Sequence, residues 1–253
     1  MARMLETLVK NSRTSVDAGV YEIRGAARGG RSIKWKEGRA ALITEVKLAS
    51  PSAGWIREGA DPEEIAASMV RGGADALSVL TQPLLFHGSP EYFARVRRSV
   101  DVPMIMKDII VDEAQVAAAE ALGADYMLLI QSVFDGGYAH NMDEFIEMGH
   151  NRGVRTLLEV HTAAEFERAQ NTEADLIGIN NRNLDTLEID LGTTEEILAG
   201  RNTRSRVISE SGIKSAADIA RLKKAGAAGF LVGSGIMGGR DIEGTVREMI
   251  SAC

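Results

Sequence analysis

One segment shape recurs along this chain and limits its fold more than any other feature. GGADALSVL (72–80), LGADYMLLI (122–130), TEADLIGIN (172–180) and AGAAGFLVG (225–233) each read as a helix end, an Ala-Asp or Ala-Ala turn and an apolar strand. Glycine at the helix end supplies the left-handed residue that stops a helix. Apolar runs of four to six residues bounded by such turns are strands buried on both faces, as in parallel sheets. Between the four copies lie further strands at 41–47, 103–107, 156–160 and 206–211. Helical patterns fill the gaps at 61–72, 112–122, 140–151, 162–170, 193–199, 215–225 and 241–250. The first of these opens with Asp61 as a cap, Pro62 at the first helical position and acids in the first turn. Strands at intervals of about 20 to 35 residues match the βα unit. Eight such units predict a closed (β/α)8 TIM barrel, α/β in class, with residues 41–253 as barrel and 1–40 as an N-terminal helical extension of the same domain. A doubly wound open sheet is the alternative, but no GxGxxG follows the first strand.

A chain of 253 residues with 45% hydrophobic residues can bury one large core. Aromatics at 5%, beside plentiful Ala and Gly, suit close helix-on-strand packing. A net charge of −7 and the absence of a basic run argue against a nucleic-acid surface. They leave room for a phosphorylated small molecule, because backbone N–H groups at a helix start bind phosphate without side-chain charge. The one cysteine, Cys253, excludes a disulfide within the chain and Cys-based zinc, so a reducing cytoplasm is the expected compartment. MARMLETLVKNS does not read as a signal peptide, and no apolar stretch approaches the roughly 20 residues that span a bilayer. Neither a nucleic-acid nor a membrane partner is expected, and a monomer is the default.

Met4, Leu5, Leu8 and Val9 share one helical face in the extension, followed by a Gly- and Arg-rich stretch at 24–31. Spacing alone favours a plug for one barrel end; the alternative is a cover over the active-site mouth. Residues 48–60 (LASPSAGWIREGA) form a long loop after the first strand and read as a lid.

The apolar runs end in residues that a buried strand does not need: Glu45 and Lys47, Lys107, Glu159, Asn180 and Arg182, Glu210 and Ser211, and Ser234. In parallel barrels the carboxyl ends of the strands converge on one mouth, so this pattern points to an enzyme and to the place of its site. Alternation puts Ile43, Glu45 and Lys47 on one face. Two lysines and two glutamates around one cavity suit proton transfer. Crowded like charges are expected to lower a lysine pKa, and burial to raise a carboxylate's. Burying these charges as ion pairs for stability alone is seldom rewarding. Arg182 is expected to bind a carboxylate or brace Glu210, and Asn180 to hold a substrate hydroxyl or orient Glu45. Glu210 and Ser211 are adjacent, so one must lie where the strand breaks.

SESGI (209–213) and VGSGIM (232–237) each place a small residue and Gly directly after a strand, in consecutive units. That is a phosphate signal, since glycine lets the ligand approach the backbone and barrels hold phosphate between the seventh and eighth loops. His140 and His150 fall in a surface helix and His87 in a loop. His161 follows Glu159 by two, but no third ligand is suitably spaced and no metal is expected. Trp35 and Trp55 flank the first strand as packing residues.

Taken together, ITEVKLASPSAG (43–54), FHGS (86–89), MKDIIVD (106–112), LLEVH (157–161), IGINNRNLDTLEIDL (177–191), ISESGI (208–213) and FLVGS (230–234) resemble the indole-3-glycerol phosphate synthase family of tryptophan biosynthesis. The resemblance implies a barrel whose N-terminal extension covers the mouth. It implies cofactor-free cyclisation of 1-(2-carboxyphenylamino)-1-deoxyribulose 5-phosphate with loss of carbon dioxide and water. By motif, Lys107 is the implied general acid for ring closure, Glu159 and Lys47 serve dehydration, and Glu45, held by Asn180, is the other acid/base. Arg182 and Glu210 orient substrate. Ser52, Ser211, Gly212, Gly233 and Ser234 hold phosphate, and Phe86 and Leu231 line the anthranilate pocket. Two positions depart from the pattern: Leu48 replaces a basic or small polar residue, and Ile109 replaces the usual Phe. Two other readings remain open on the residues alone. One is another phosphate-binding barrel enzyme, an isomerase or a Schiff-base aldolase using Lys107. The other is a barrel that only binds a phosphorylated ligand.

Overall fold

The computed structural model describes residues 4–25, 27–50, 54–184 and 186–253. Eight parallel strands form its centre: β1 (Ala41–Val46), β2 (Ala76–Leu80), β3 (Met104–Lys107), β4 (Tyr126–Ile130), β5 (Arg155–Val160), β6 (Leu176–Asn180), β7 (Arg206–Glu210) and β8 (Gly229–Val232). Each pairs with the next, and β8 returns to β1 with Ala41 opposite Gly229 and Thr44 opposite Val232. This closure makes the chain a (β/α)8 barrel and excludes the open sheet. The flanking helices are α1 (Met4–Asp17), α2 (Pro62–Gly72), α3 (Pro83–Phe86), α4 (Pro90–Ser99), α5 (Glu113–Leu122), α6 (Gln131–Asp135), α7 (Met142–Asn151), α8 (Ala163–Ala169), α9 (Gly192–Leu198), α10 (Ala216–Lys224), α11 (Ser234–Met237) and α12 (Ile242–Ala252). Asp61 caps α2 as expected, its side chain accepting from Glu63 N, and Gly73 ends that helix at φ 107°.

The alternation of each strand divides the core in two. Leu42, Leu77, Met104, Met127, Leu158, Ile177, Val207 and Phe230 face the helices. Ala41, Ile43, Ala76, Ile105, Leu128, Leu157, Leu176, Ile208 and Leu231 fill the barrel. The Ala-Asp repeat has a purpose beyond the turn. Asp75, Asp125 and Asp175 each accept a backbone N–H at the start of the strand before: Leu42 N at 3.0 Å, Met104 N at 2.8 Å and Thr156 N at 2.8 Å. A carboxylate here satisfies a strand-end donor that the ladder leaves free. Arg39, Arg97 and Arg155 pair with the three aspartates in turn.

The extension does two jobs. Along α1, Leu8 and Val9 are buried and Ser12 Oγ donates to Ile109 O at 2.5 Å, which seats the helix over the carboxyl end of β3. Tyr21 Oη then donates to Asp108 Oδ2 at 2.8 Å. Further on the chain reaches the opposite end: Arg31 N donates to Asp125 Oδ1 at 2.6 Å, Ile33 N bonds Tyr126 Oη, and Trp35 packs under Arg206. The extension thus contacts the carboxyl end of β3 through α1 and the opposite end of the barrel through residues 31–35. In the loop after β1, Ala49–Ser50 pairs antiparallel with Gly54–Trp55, and the Trp55 ring stacks on His87 at 4.3 Å. Leu48 is buried in the outer core. Among the described residues no helix is long and apolar enough to cross a membrane.

A candidate active site at the carboxyl ends of the strands

The inward-facing series that fills the barrel with Ile43, Ile105, Leu157, Leu176 and Ile208 continues upward into Glu45, Lys107, Glu159, Asn180 and Glu210. The alternation that builds an apolar interior therefore delivers ionisable groups to the mouth. They line a cavity of about 410 Å³ together with Lys47, Arg182, Ser211, Gly212, Gly233, Ser234, Phe86 and Leu231. Met4 and Leu8 of α1 and Ile109 complete the apolar part of its wall. Every residue to which the family resemblance gives a role thus meets in one place except Ser52, which lies outside the described residues.

Lys107 is the hub. Its Nζ lies 2.5 Å from Glu210 Oε2 and 3.3 Å from Glu159 Oε2. Across the mouth, Lys47 Nζ lies 2.7 Å from Glu45 Oε1. Asn180 Nδ2 donates to Glu159 Oε1 at 3.0 Å. This corrects the expectation that Asn180 holds Glu45: β6 adjoins β5, which carries Glu159, whereas β7 and β8 separate it from β1. Arg182 does not brace Glu210 either. It leaves the barrel in a loop bridge with Ile189, and its Nη1 donates to Leu187 O at 3.0 Å, so Lys107 takes the place beside Glu210. β7 ends at Glu210, and Ser211 enters the left-handed region at φ 66°, which lets both side chains reach the cavity. A non-glycine residue held there is strained, and such strain clusters at functional sites.

The charges order themselves differently from the simple expectation. Burial pulls the Lys107 ammonium down, but Glu210, Glu159 and Glu45 outweigh it and hold its pKa well above the usual lysine value. Burial pushes Glu159 up, yet Lys107, His161 and Asn180 bring it far below the ordinary carboxylate range. Burial likewise opposes Lys47 and Lys107 at Glu45, and the lysines win. Of the three glutamates Glu210 alone ends high, at about 7, because burial and its carboxylate neighbours exceed the pull of Lys107. Three carboxylates share two lysines, and the deficit of positive charge falls on Glu210.

Two glycines make this packing possible. A Cβ at Gly178 would stand 2.0 Å from Glu210 Oε1, and one at Gly233 would stand 2.6 Å from Glu45 Oε1 and 3.0 Å from Lys47 Nζ. Gly233 thus clears space for the Glu45–Lys47 pair, a role that the phosphate reading of its loop does not include. Gly212 adopts φ 83° against Ile189, and Gly235 passes Ile213 O so closely that a Cβ would approach within 2.5 Å. The loops after β7 and β8 are therefore in contact.

Sequence reasoning missed Gly178, hidden in an apolar strand, and undervalued His161 and Asp108. The signal for His161 was its place two residues after Glu159 in the same inward series. Asp108 is 2% exposed and accepts from Tyr21, from Thr81 Oγ1 at 2.5 Å and from Ile109 N at 2.8 Å. With no cation against it, burial raises its pKa to about 6.

Comparison with known proteins bears on this geometry directly. The family profile described as indole-3-glycerol phosphate synthase matches residues 20–249. The chain belongs to the indole-3-glycerol phosphate synthase family. A relative of that name from Azospirillum brasilense is 36% identical over 252 residues, covering 99% of this chain and 92% of the relative. Another from Haloarcula marismortui is 41% identical over 218 residues, covering 85% and 79%. Among solved structures, thiamine phosphate pyrophosphorylase from Pyrococcus furiosus superposes with a TM-score of 0.62 at 18% identity, covering 84% of this chain and 94% of that one. That likeness concerns the fold alone. Family membership makes the chain a carboxy-lyase of tryptophan biosynthesis and sets aside the isomerase, aldolase and binding-only readings.

Proposed function

We propose that this cavity converts 1-(2-carboxyphenylamino)-1-deoxyribulose 5-phosphate into indole-3-glycerol phosphate, carbon dioxide and water, in the cytoplasm and without a cofactor. The observation that carries the reading is Lys107 held between Glu210 and Glu159 in a cavity lined by both ionisable and apolar side chains. The substrate phosphate lies between the loops after β7 and β8, against Ser211, Gly212, Gly233 and Ser234. The aromatic ring rests on Phe86, Leu231 and Ile109, and Arg182 faces the carboxylate.

The ring carbon bearing the carboxylate attacks the C2′ carbonyl carbon. The carbonyl π electrons move to oxygen, and Lys107 Nζ gives that oxygen a proton. An ammonium of raised pKa can do this because the developing alkoxide is a stronger base than the amine. Carbon dioxide then leaves with cleavage of the ring-carbon–carboxylate bond, whose electrons restore the aromatic ring. Glu210, with a pKa near neutrality, is placed to return a proton to Lys107. In the dehydration Lys47 protonates the departing C2′ hydroxyl, and Glu159, kept ionised, removes the C1′ proton as the double bond forms. Glu45 holds Lys47 in place, and Asn180 holds Glu159. Groups positioned for such transfers typically contribute about 10²- to 10⁴-fold each.

The test is direct. The purified chain, incubated with this substrate, develops indole absorbance and fluorescence. Absence of product from a folded protein overturns the proposal.

A further inference from the structure

His161 follows β5 in the inward series of Leu157 and Glu159, yet its ring stands behind Glu159 and off the cavity wall. Its Nε2 lies 3.3 Å from Glu159 Oε1, and its Nδ1 lies 3.6 Å from Glu165 Oε2. The side chain is 10% exposed. The start of α8 builds this arrangement. Thr162 caps the helix by accepting from Glu165 N, and Glu165 Oε2 accepts the backbone N–H of His161 at 2.6 Å. A carboxylate therefore faces each ring nitrogen, and an imidazole meets two carboxylates best when both nitrogens carry protons.

We propose that His161 is a positioning residue for this reaction: its imidazolium, clamped between Glu159 and Glu165, fixes the Glu159 carboxylate and supplies the counter-charge that persists while Lys107 gives up its proton. The inference rests on the reading of Glu159 and Lys107 given above. Glu159 has three partners around it: Lys107 at Oε2, the Asn180 amide donating to Oε1, and the His161 ring in ion-pair contact with Oε1. When Lys107 turns neutral, Asn180 contributes only a dipole. A buried carboxylate without a cation would then draw a proton and cease to be the base of the dehydration step. His161 prevents this, because it does not contact the substrate cavity and its own proton is not spent. The charged groups facing its ring are Glu159 from β5 and Glu165 from α8, with Lys107 of β3 the next charge, beyond Glu159. Burial lowers the pKa of the imidazole, but the two carboxylates raise it to about 9. The clamp is therefore charged at neutral pH and fails as pH rises through that value.

The experiment compares wild type, His161→Gln and Glu165→Gln, with kcat and KM measured from pH 6 to 10 and imidazole NMR titrations of the four histidines. In the wild type, one imidazole stays protonated well above pH 8, and its signal disappears in His161→Gln. That variant loses roughly 10- to 100-fold in kcat, about 1.4 to 2.7 kcal/mol of lost counter-charge at Glu159, while KM changes little. Glu165→Gln keeps an oxygen for the His161 backbone N–H but removes one anion, so the imidazolium titrates at lower pH and the alkaline limb of kcat moves down with it. A role confined to capping α8 would shift the melting temperature and leave the pH profile in place. Profiles that superimpose across the three proteins, or a His161 titration near the free imidazole value, overturn the inference. A wild type without turnover overturns the reaction reading and the positioning role together, whereas turnover with superimposing profiles overturns the role of His161 alone.

Discussion

Replacing Lys107 by Met removes the hub of the charge cluster. The ammonium is 2.5 Å from Glu210 and 3.3 Å from Glu159, and both carboxylates are nearly inaccessible. Taken as an unshared charge at a strand end, Lys107 would be dispensable for folding; its two carboxylate partners make it otherwise. Removing one partner of a buried pair costs about 3–5 kcal/mol when the other stays charged. At roughly 2–4 °C per kcal/mol for a chain of this size, the melting point falls by on the order of 10 °C. The loss depends on pH. Glu210 already sits near 7 with Lys107 beside it, and without that cation its pKa rises further. A carboxyl whose folded pKa exceeds its unfolded value of about 4.3 costs stability as pH climbs from the latter towards the former. The Glu159 share of the deficit is already present at pH 5, because Lys107 keeps that carboxylate ionised far below this pH, and the Glu210 share is added only as pH rises above about 7. Activity falls by about 10²- to 10⁴-fold in kcat, with a smaller change in KM because phosphate and ring contacts lie elsewhere. Melts at pH 5 and pH 8, with kcat and KM at pH 7.5, test this. A folded variant with near-wild-type kcat refutes Lys107 as the acid, and a pH-independent deficit refutes the charge sharing.

Three further outcomes follow from contacts already described. Gly178→Ala puts a methyl where Glu210 Oε1 lies and displaces it from Lys107; the variant should fold with about 1–3 kcal/mol less stability and a kcat reduced well beyond its change in KM, and unchanged kinetics would remove Glu210 from the mechanism. Tyr21→Phe deprives the buried Asp108 of one donor and should cost about 1–3 kcal/mol in a denaturant titration; no loss would mean that this bond does not anchor the extension. Borohydride added during turnover should leave Lys107 unmodified by mass spectrometry, because the carbonyl is protonated rather than converted to an imine; a reduced adduct there would contradict the mechanism.

Much of the barrel was legible because its strands are buried on both faces and so appear as uninterrupted apolar runs. The charged residues at their ends were legible for the converse reason: nothing in packing calls for them. What escaped is set by distances across the barrel. Asn180 was assigned to Glu45, but strand order makes Glu159 its neighbour. Lys107 is expected to have a lowered pKa, yet three carboxylates act on it, all from strands distant in sequence. Gly178 reads as an ordinary strand glycine until Glu210 is seen beside it. The extension divides its work between the two ends of the barrel, which helical periodicity along α1 could not reveal. The Ala-Asp repeat was visible as a turn, but its bond to the preceding strand needed the sheet register.

The central claim is that the charges at the strand ends and the two glycine-bearing loops form one site for one substrate. A crystal structure with indole-3-glycerol phosphate bound tests it most directly. The account places the phosphate against Ser211, Gly212, Gly233 and Ser234, the indole ring against Phe86, Leu231 and Ile109, and Lys107 and Glu159 along the newly formed five-membered ring. Phosphate density away from the loops after β7 and β8, or a ring bound out of reach of Lys107, would contradict it.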